Sequence, residues 1–153
     1  MEVVIALAIV GFALPLIMAA TSSTGNTLRN AEADTRSAWI ARHVQRQIIA
    51  KWAEPPIESE ITSAFDFPVT GTEESTAVLI FDREGTFLSE GSSDDLTASS
   101  QVPDAVFAAN ITAKLHENSL ALVSITINHP AKAPAAKRSS YRYKFLTTRQ
   151  GNQ

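Results

Sequence analysis

Residues 1–20 read MEVVIALAIVGFALPLIMAA, and this stretch decides the fold that the sequence predicts. Glu2 stands at the head of an uncharged apolar run that reaches from Val3 to Ala20. At a helical rise of about 1.5 Å per residue the run spans roughly 27 Å, close to the thickness of a bilayer's hydrocarbon core. The run therefore predicts a membrane-spanning helix. A carboxylate at the membrane edge costs free energy unless it has a partner, so Glu2 is a candidate functional residue.

Gly11 and Pro15 lie inside this apolar run. Proline removes one intrahelical hydrogen bond and crowds the carbonyl four residues before it, so a kink or local melting is expected between the two residues. In lipid the released backbone groups need partners from neighbouring helices. The alternative is that the two residues have no special role, since Gly and Pro are common in membrane helices.

The composition of the whole chain is ordinary for a globular protein. The 153 residues are 44% hydrophobic and 19% charged, with a net charge of −3 and no cysteine. These totals argue against disorder and against a nucleic-acid-binding protein, and they exclude disulfides and thiolate zinc sites. The chain has room for an anchor and one modest domain.

Charge is strongly segregated along the chain. Residues 21–52 carry five basic and two acidic side chains, residues 53–128 carry thirteen acids and two bases, and residues 129–153 carry six bases and no acid. Such blocks can attract one another within a subunit or between subunits. The alternative is that they are solvated faces without a partner.

A long amphipathic helix is predicted after the polar stretch at residues 21–27. Apolar or small residues recur every three or four positions, which predicts a helix with one buried stripe. The helix is expected to end before Pro55, because proline disfavours helix in the residue that precedes it. The predicted stripe consists of Leu28, Ala31, Thr35, Ala38, Ala41, Val44, Ile48 and Trp52, widened by Ile40 and Ile49.

The rest of the chain predicts a small antiparallel sheet with one further helix. Proline suits a first helical turn, so Pro103 is expected to open a helix that buries Phe107, Ile111 and Leu115 and ends at Asn118. Arg83–Gly85 is a predicted turn between two strands, with Gly85 at positive φ, and Phe65 and Phe67 are expected to anchor a loop at residues 57–76. The predicted strands are residues 77–82, 86–90, 120–128 and 141–148, and residues 91–100 and 129–140 are predicted connections.

Candidate chemical sites are weak. His43, His116 and His129 have no metal-ligand spacing, and no phosphate-binding loop or nucleophile elbow occurs, so we expect no enzyme, no metal and no cofactor. The acidic pairs Asp94–Asp95 and Glu73–Glu74 lack the spaced oxygen ligands of a calcium site.

Two further patterns have simpler structural explanations. Asn110–Thr112 matches the glycosylation pattern but falls inside the predicted helix. Tyr141 and Tyr143 beside Arg142 and Lys144 are compatible with DNA contact, but strand alternation explains them more simply, so no nucleic-acid partner is expected.

The stretch Met1–Ala13, MEVVIALAIVGFA, resembles the N-terminal helix of type IV pilins and type II secretion pseudopilins. Within that group the chain is most similar to the prepilin-like proteins of verrucomicrobial gene cassettes, with NHPAKAPAAKRS at residues 128–139 as a second point of similarity. In this family a basic leader ending in Gly precedes the mature chain, and a glutamate follows a few residues after the cleavage point. Glu2 matches that glutamate, so the leader and about three mature residues would be missing before it.

The resemblance implies an α+β, pilin-like fold. A long N-terminal helix, with a membrane half and an amphipathic half, would pack on a small antiparallel sheet of about four strands. The implied organisation is a transmembrane and filament-core helix at residues 1–20, an amphipathic helical stem at 21–52 and a globular head at 53–153.

The resemblance also implies a function. The chain would be a structural subunit, minor pilin or pseudopilin, of a type IV pilus or type II secretion-type filament. It would be cleaved and methylated by a prepilin peptidase and held in the bacterial inner membrane with its head in the periplasm. Its partners would be membrane lipid, the assembly platform and other subunits, whose N-terminal amine would pair with Glu2. The alternative function is a single-pass, membrane-anchored periplasmic binding or sensor domain.

Overall fold

A computed structural model describes residues 27–28, 30–53, 57–62, 65–70, 73–91, 102–117 and 120–148. The chain divides into two compact units, residues 1–35 and residues 36–153. The described residues of the first unit are helical, and the Thr35 hydroxyl donates to the Ala31 carbonyl within it. The second unit holds a helix and an antiparallel sheet.

Residues 27–28 and 30–51 are helical, and we name this helix α1. In the second unit its buried side chains recur at positions 37, 40, 41, 44 and 48, the spacing of one helix face. Ile40, Val44 and Ile48 have no measurable exposure, so this face packs as core. None of the helices in the described part of the chain is both apolar enough and long enough to cross a membrane.

Five strands form one sheet in the order β2-β1-β3-β4-β5, with every neighbouring pair antiparallel. Alternating or continuous runs of Val, Ile, Phe and Ala make these segments strands, because such side chains fit a pleated and partly buried surface. The strands are β1 at Glu74–Phe81, β2 at Phe87–Gly91, β3 at Phe107–Glu117, β4 at Leu120–His129 and β5 at Ser139–Thr148. Between β4 and β5 lies one 3₁₀ turn, Ala135–Lys137.

The sheet has two different faces, which its register defines. On the helix-side face, Ala77, Ile111, Ile125 and Tyr143 lie in one cross-strand row, and the first three are buried. This face packs against α1, because the Tyr143 hydroxyl lies 2.9 Å from the Ser37 hydroxyl of the helix. The opposite face contains two polar cross-strand rows, Asn110–Thr126–Arg142 and Thr112–Ser124–Lys144, and we name it the polar face after them. The exposed Leu146 lies on this face as well.

The predicted fold class is wrong. The described part of the chain is mostly β, with five antiparallel strands where about four were expected, and a pilin-like long N-terminal helix is not seen in it. The predicted membrane half, residues 1–20, lies outside the described residues. The prediction missed one strand because it assigned residues 103–118 to a helix.

Residues 107–117 form the central strand β3 and not a helix. Phe107, Ile111 and Leu115 recur every four residues, which fits a helical face, but a strand with a period of two also places residues four apart on one face. Their spacing therefore does not distinguish the two. The neighbouring strands β1 and β4 supply backbone partners along this segment, and that tertiary context favours the strand.

The four predicted strands are confirmed with small shifts of their ends. The strands predicted at 77–82 and 86–90 correspond to β1 and β2, and those at 120–128 and 141–148 correspond to β4 and β5. Gly85 has the expected positive φ of 86°. Phe65 is fully buried as predicted, whereas Phe67 is half-buried.

The buried stripe of α1 is predicted correctly only in its second half. Leu28, Ala31, Thr35 and Ala38 are exposed, whereas Ala33 and the polar residue Ser37 are buried. In this part of the helix small residues and threonine give almost no hydropathy contrast between faces. Val44, Ile48 and Trp52 differ strongly in hydropathy from the residues on the other faces of the helix. Their burial was therefore predicted correctly.

Candidate functional site

The predicted site residues Glu2, Gly11 and Pro15 lie outside the described residues, so the site that the structure presents is the contact between residues 36–52 and the sheet. Here the helix meets the sheet through a small number of polar and aromatic contacts. These contacts determine which side chains of the helix stay at the surface.

His43 links the helix to the segment at residues 57–62. Its Nε2 atom lies 2.7 Å from Glu60 Oε2, and its ring stacks on Trp39 with centroids 5.8 Å apart. The edge of Phe81 in β1 approaches the same ring at 6.1 Å. His43 therefore has a structural role, because it is packed between aromatic rings and paired with a carboxylate.

Gln47 and Trp52 extend the same link toward the C-terminal end of α1. The Gln47 carbonyl accepts the Ser59 hydroxyl at 3.1 Å, and its Oε1 accepts the Glu60 backbone N–H at 3.0 Å. The buried Trp52 indole N–H donates to the Phe65 carbonyl at 3.0 Å, and the two rings stack with centroids 5.3 Å apart. Loop segments 57–62 and 65–70 are thus held against the helix by hydrogen bonds as well as by burial.

At the other end of the contact, α1 meets the turn between β1 and β2. Arg36 Nη1 donates to the Glu84 carbonyl at 3.1 Å. Gly85 lies so close to Trp39 that a Cβ atom there would be 3.1 Å from two atoms of the indole ring. Trp39 nevertheless keeps 48% of its surface exposed. An exposed indole that is held by a turn on one side is a rigid contact surface, and aromatic anchors of this kind dominate protein interfaces.

A cleft of about 460 Å³ lies beside this turn. It separates the β1–β2 turn from the segment at residues 102–106, and its volume is in the range of small-molecule sites. Asp82 Oδ1 accepts the Thr86 N–H at 2.7 Å, so this carboxylate is already used to shape the turn. The described lining residues include no His, Ser or Cys, and they offer no nucleophile or catalytic base pair. They are Asp82, Arg83, Glu84, Leu88, Pro103, Asp104, Ala105 and Val106.

Strand β5 carries two exposed cations. Arg142 and Lys144 are exposed on the polar face, and Lys137 precedes the strand. Their cross-strand neighbours, Thr126 and Ser124, are neutral. The alternation of Tyr141, Tyr143 and Phe145 with these cations is that of a strand with two different faces, as the sequence suggested.

The structure gives no support for a metal site in its described residues, where no cluster of three His, Cys, Asp or Glu side chains could hold an ion. Glu74 pairs with Lys114 at 2.8 Å, and Glu73 Oε2 accepts the Val69 N–H at 3.1 Å. The other predicted acidic pair, Asp94–Asp95, lies outside the described residues. Asn110–Thr112 is part of β3, not of a helix.

Sequence reasoning did not identify the roles of Trp39 and Ser37. In the sequence, Trp39 stood out only as an aromatic residue that does not belong to the predicted buried stripe. Ser37 gave no signal, because a buried hydroxyl is recognised only when its partner, here Tyr143 more than a hundred residues away, is known.

Comparisons of this chain with protein-family models, with curated proteins and with solved structures found no match.

Proposed function

We propose that this chain is a structural subunit, of the minor pilin or pseudopilin kind, of a type IV pilus or type II secretion-type filament. The observation that carries the proposal is Glu2 at the head of the uncharged run Val3–Ala20. A simple membrane tether has no need of a carboxylate at the edge of its apolar run, since the charge only adds to the cost of insertion. A filament subunit does need one if it pairs with a neighbour's N-terminal amine.

The described residues add supporting observations about the head. Residues 36–52 have a buried face, and the side chains at its two ends, Arg36 and Trp52, donate to the carbonyls of Glu84 in the β1–β2 turn and of Phe65 in the loop at 65–70. The exposed Trp39 offers an aromatic contact surface for a neighbour.

In this function the apolar run first holds the subunit in the inner membrane, with the head in the periplasm. The assembly platform then brings subunits together, and Glu2 pairs with the N-terminal amine of the next subunit. That pairing offsets the cost of a buried carboxylate in an apolar helix bundle. The kink or local melting predicted from Gly11 and Pro15 would let the helices adjust where they pack.

The test compares Glu2→Ala with Glu2→Asp in cells that assemble the filament. Glu2→Ala should insert into the membrane at the normal level but be lost from sheared filaments, whereas Glu2→Asp should keep part of its incorporation because the charge is retained. Both fractions are measured by immunoblotting. Normal incorporation of Glu2→Ala would contradict the proposal.

A single-pass anchored binding or sensor domain is the second candidate, and the cleft beside the β1–β2 turn favours it. In that case residues 3–20 serve only as a tether. Replacing them by an equally long leucine and alanine helix would then leave function unchanged. In a filament subunit the same replacement should prevent assembly while membrane insertion persists.

A further inference from the structure

Strand β5 is the outermost strand on its side of the described sheet and pairs there with β4. Its ten residues, at about 3.4 Å each, give an edge roughly 34 Å long, whereas most strands have five or six residues. The outer backbone groups of an edge strand can pair with another extended chain. The length and the two faces of β5 define what kind of chain would fit.

The two faces of β5 differ in chemistry. Tyr141, Tyr143 and Phe145 are half-buried on the helix-side face, while Arg142 and Lys144 are exposed on the polar face. A strand added beside β5 would place its own alternate residues next to these two rows. It would therefore need apolar residues on one face and negative charge on the other.

Charge argues against a second copy of β5 as that strand. Two β5 strands paired antiparallel around Tyr143 would place Arg142 beside Lys144 of the other copy on the same face, and like charges in such positions are destabilising. The row neighbours Thr126 and Ser124 supply no compensating acid. An incoming strand with alternating carboxylates would instead meet both cations.

We infer that the outer edge of β5 binds an extended acidic peptide segment of a partner protein, in which apolar residues alternate with Glu or Asp. Backbone pairing with β5 would supply the affinity. The partner's carboxylates would face Arg142 and Lys144, and its apolar side chains would extend the row of Tyr141, Tyr143 and Phe145. This interaction does not depend on the proposed filament function. The competing explanation is that the two cations only protect an exposed edge from aggregation.

The experiment titrates the full chain, kept in a mild detergent, into a fluorescently labelled decapeptide that alternates valine with glutamate. Fluorescence anisotropy should show saturable binding. The double variant Arg142→Glu/Lys144→Glu should bind about tenfold more weakly or worse, because two exposed ion pairs are replaced by repulsions. The matched control Arg42→Glu/Arg46→Glu changes the net charge equally at two exposed helix positions and should leave the affinity unchanged.

A second peptide tests the backbone pairing. Methylating every backbone nitrogen of the peptide removes all of its N–H donors without changing its charge, and this peptide should lose binding. Equal binding of the methylated peptide, equal weakening by the two double variants, or no saturable binding would each overturn the inference. Sedimentation that shows dimers of the unchanged chain, abolished by Arg142→Glu/Lys144→Glu, would assign the edge to a second copy and would also overturn it.

Discussion

At the residue scale, the turn between β1 and β2 depends on Gly85. Its φ of +86° lies in the region that disfavours side chains, and its missing Cβ leaves the space in which the Trp39 indole lies. The same residue therefore permits the turn and places the exposed tryptophan. Sequence pattern predicted the turn, because glycine readily takes positive φ and Gly85 lies between two strand-like runs. It did not predict Trp39, because that contact joins distant parts of the chain.

Gly85→Ala should lower the free energy of unfolding by about 1–2 kcal/mol or more, because alanine is strained at positive φ and its Cβ would press on Trp39. Urea denaturation followed by tryptophan fluorescence measures this. Gly91→Ala is the matched control, since a Cβ there meets Val78 and Ile80 at ordinary distances of 3.5–3.6 Å. Equal effects of the two substitutions would contradict the account of Gly85.

Ser37 and Tyr143 should stabilise the molecule jointly. Ser37 is fully buried, and its hydroxyl lies 2.9 Å from that of Tyr143, so their interaction should contribute about 1 kcal/mol. A double-mutant cycle with Ser37→Ala and Tyr143→Phe measures the coupling energy in urea denaturation. Strictly additive effects of the two substitutions would show that the hydroxyl pair does not hold α1 to β5.

At the scale of elements, the packing of α1 rests on its second half. Val44, Ile48 and Trp52 are buried together, and the loop segment at 57–62 is bound to the helix through His43 and Gln47. The sequence predicted this half because its apolar residues are large and regularly spaced. It misplaced the buried stripe between residues 28 and 38, because the small residues there differ little in hydropathy from one face to another. It also predicted a helix where β3 lies.

The spacing of apolar residues alone could not show that β3 is a strand and not a helix. Apolar residues four positions apart share a face in a helix and in a strand, so Phe107, Ile111 and Leu115 fit both. The strand is favoured by pairing with β1 and β4, which are distant in sequence. The four other strands were found from sequence because their apolar runs or alternation are bounded by turn residues.

Ile48→Ala should cost about 2–5 kcal/mol of unfolding free energy, because Ile48 is fully buried in the contact between the helix and the sheet. Ile57→Ala removes the same atoms from a side chain that is 63% exposed, and it should change stability by no more than about 0.5 kcal/mol. Urea denaturation of both variants provides the comparison. Similar losses at the two positions would contradict the assigned buried face.

At the scale of the whole molecule, the structure shows where the charged blocks of the sequence lie. The basic C-terminal block contains the edge strand β5, while acids of the middle block lie around the cleft at Asp82, Glu84 and Asp104. Strand alternation already placed Arg142 and Lys144 on one face, but the sequence did not show which residues lie beside them, because that depends on the register of β5 with β4. The apolar run with Glu2 remains the basis of the proposed function.

The central claim is that this chain is part of an extracellular or periplasmic filament. The most direct measurement is quantitative mass spectrometry of filaments sheared from cells that produce the unchanged chain, compared with the membrane fraction of the same cells. We predict that the chain is enriched in the sheared filaments together with the other subunits. Its complete retention in the membrane fraction, while filaments form normally without it, would contradict the claim.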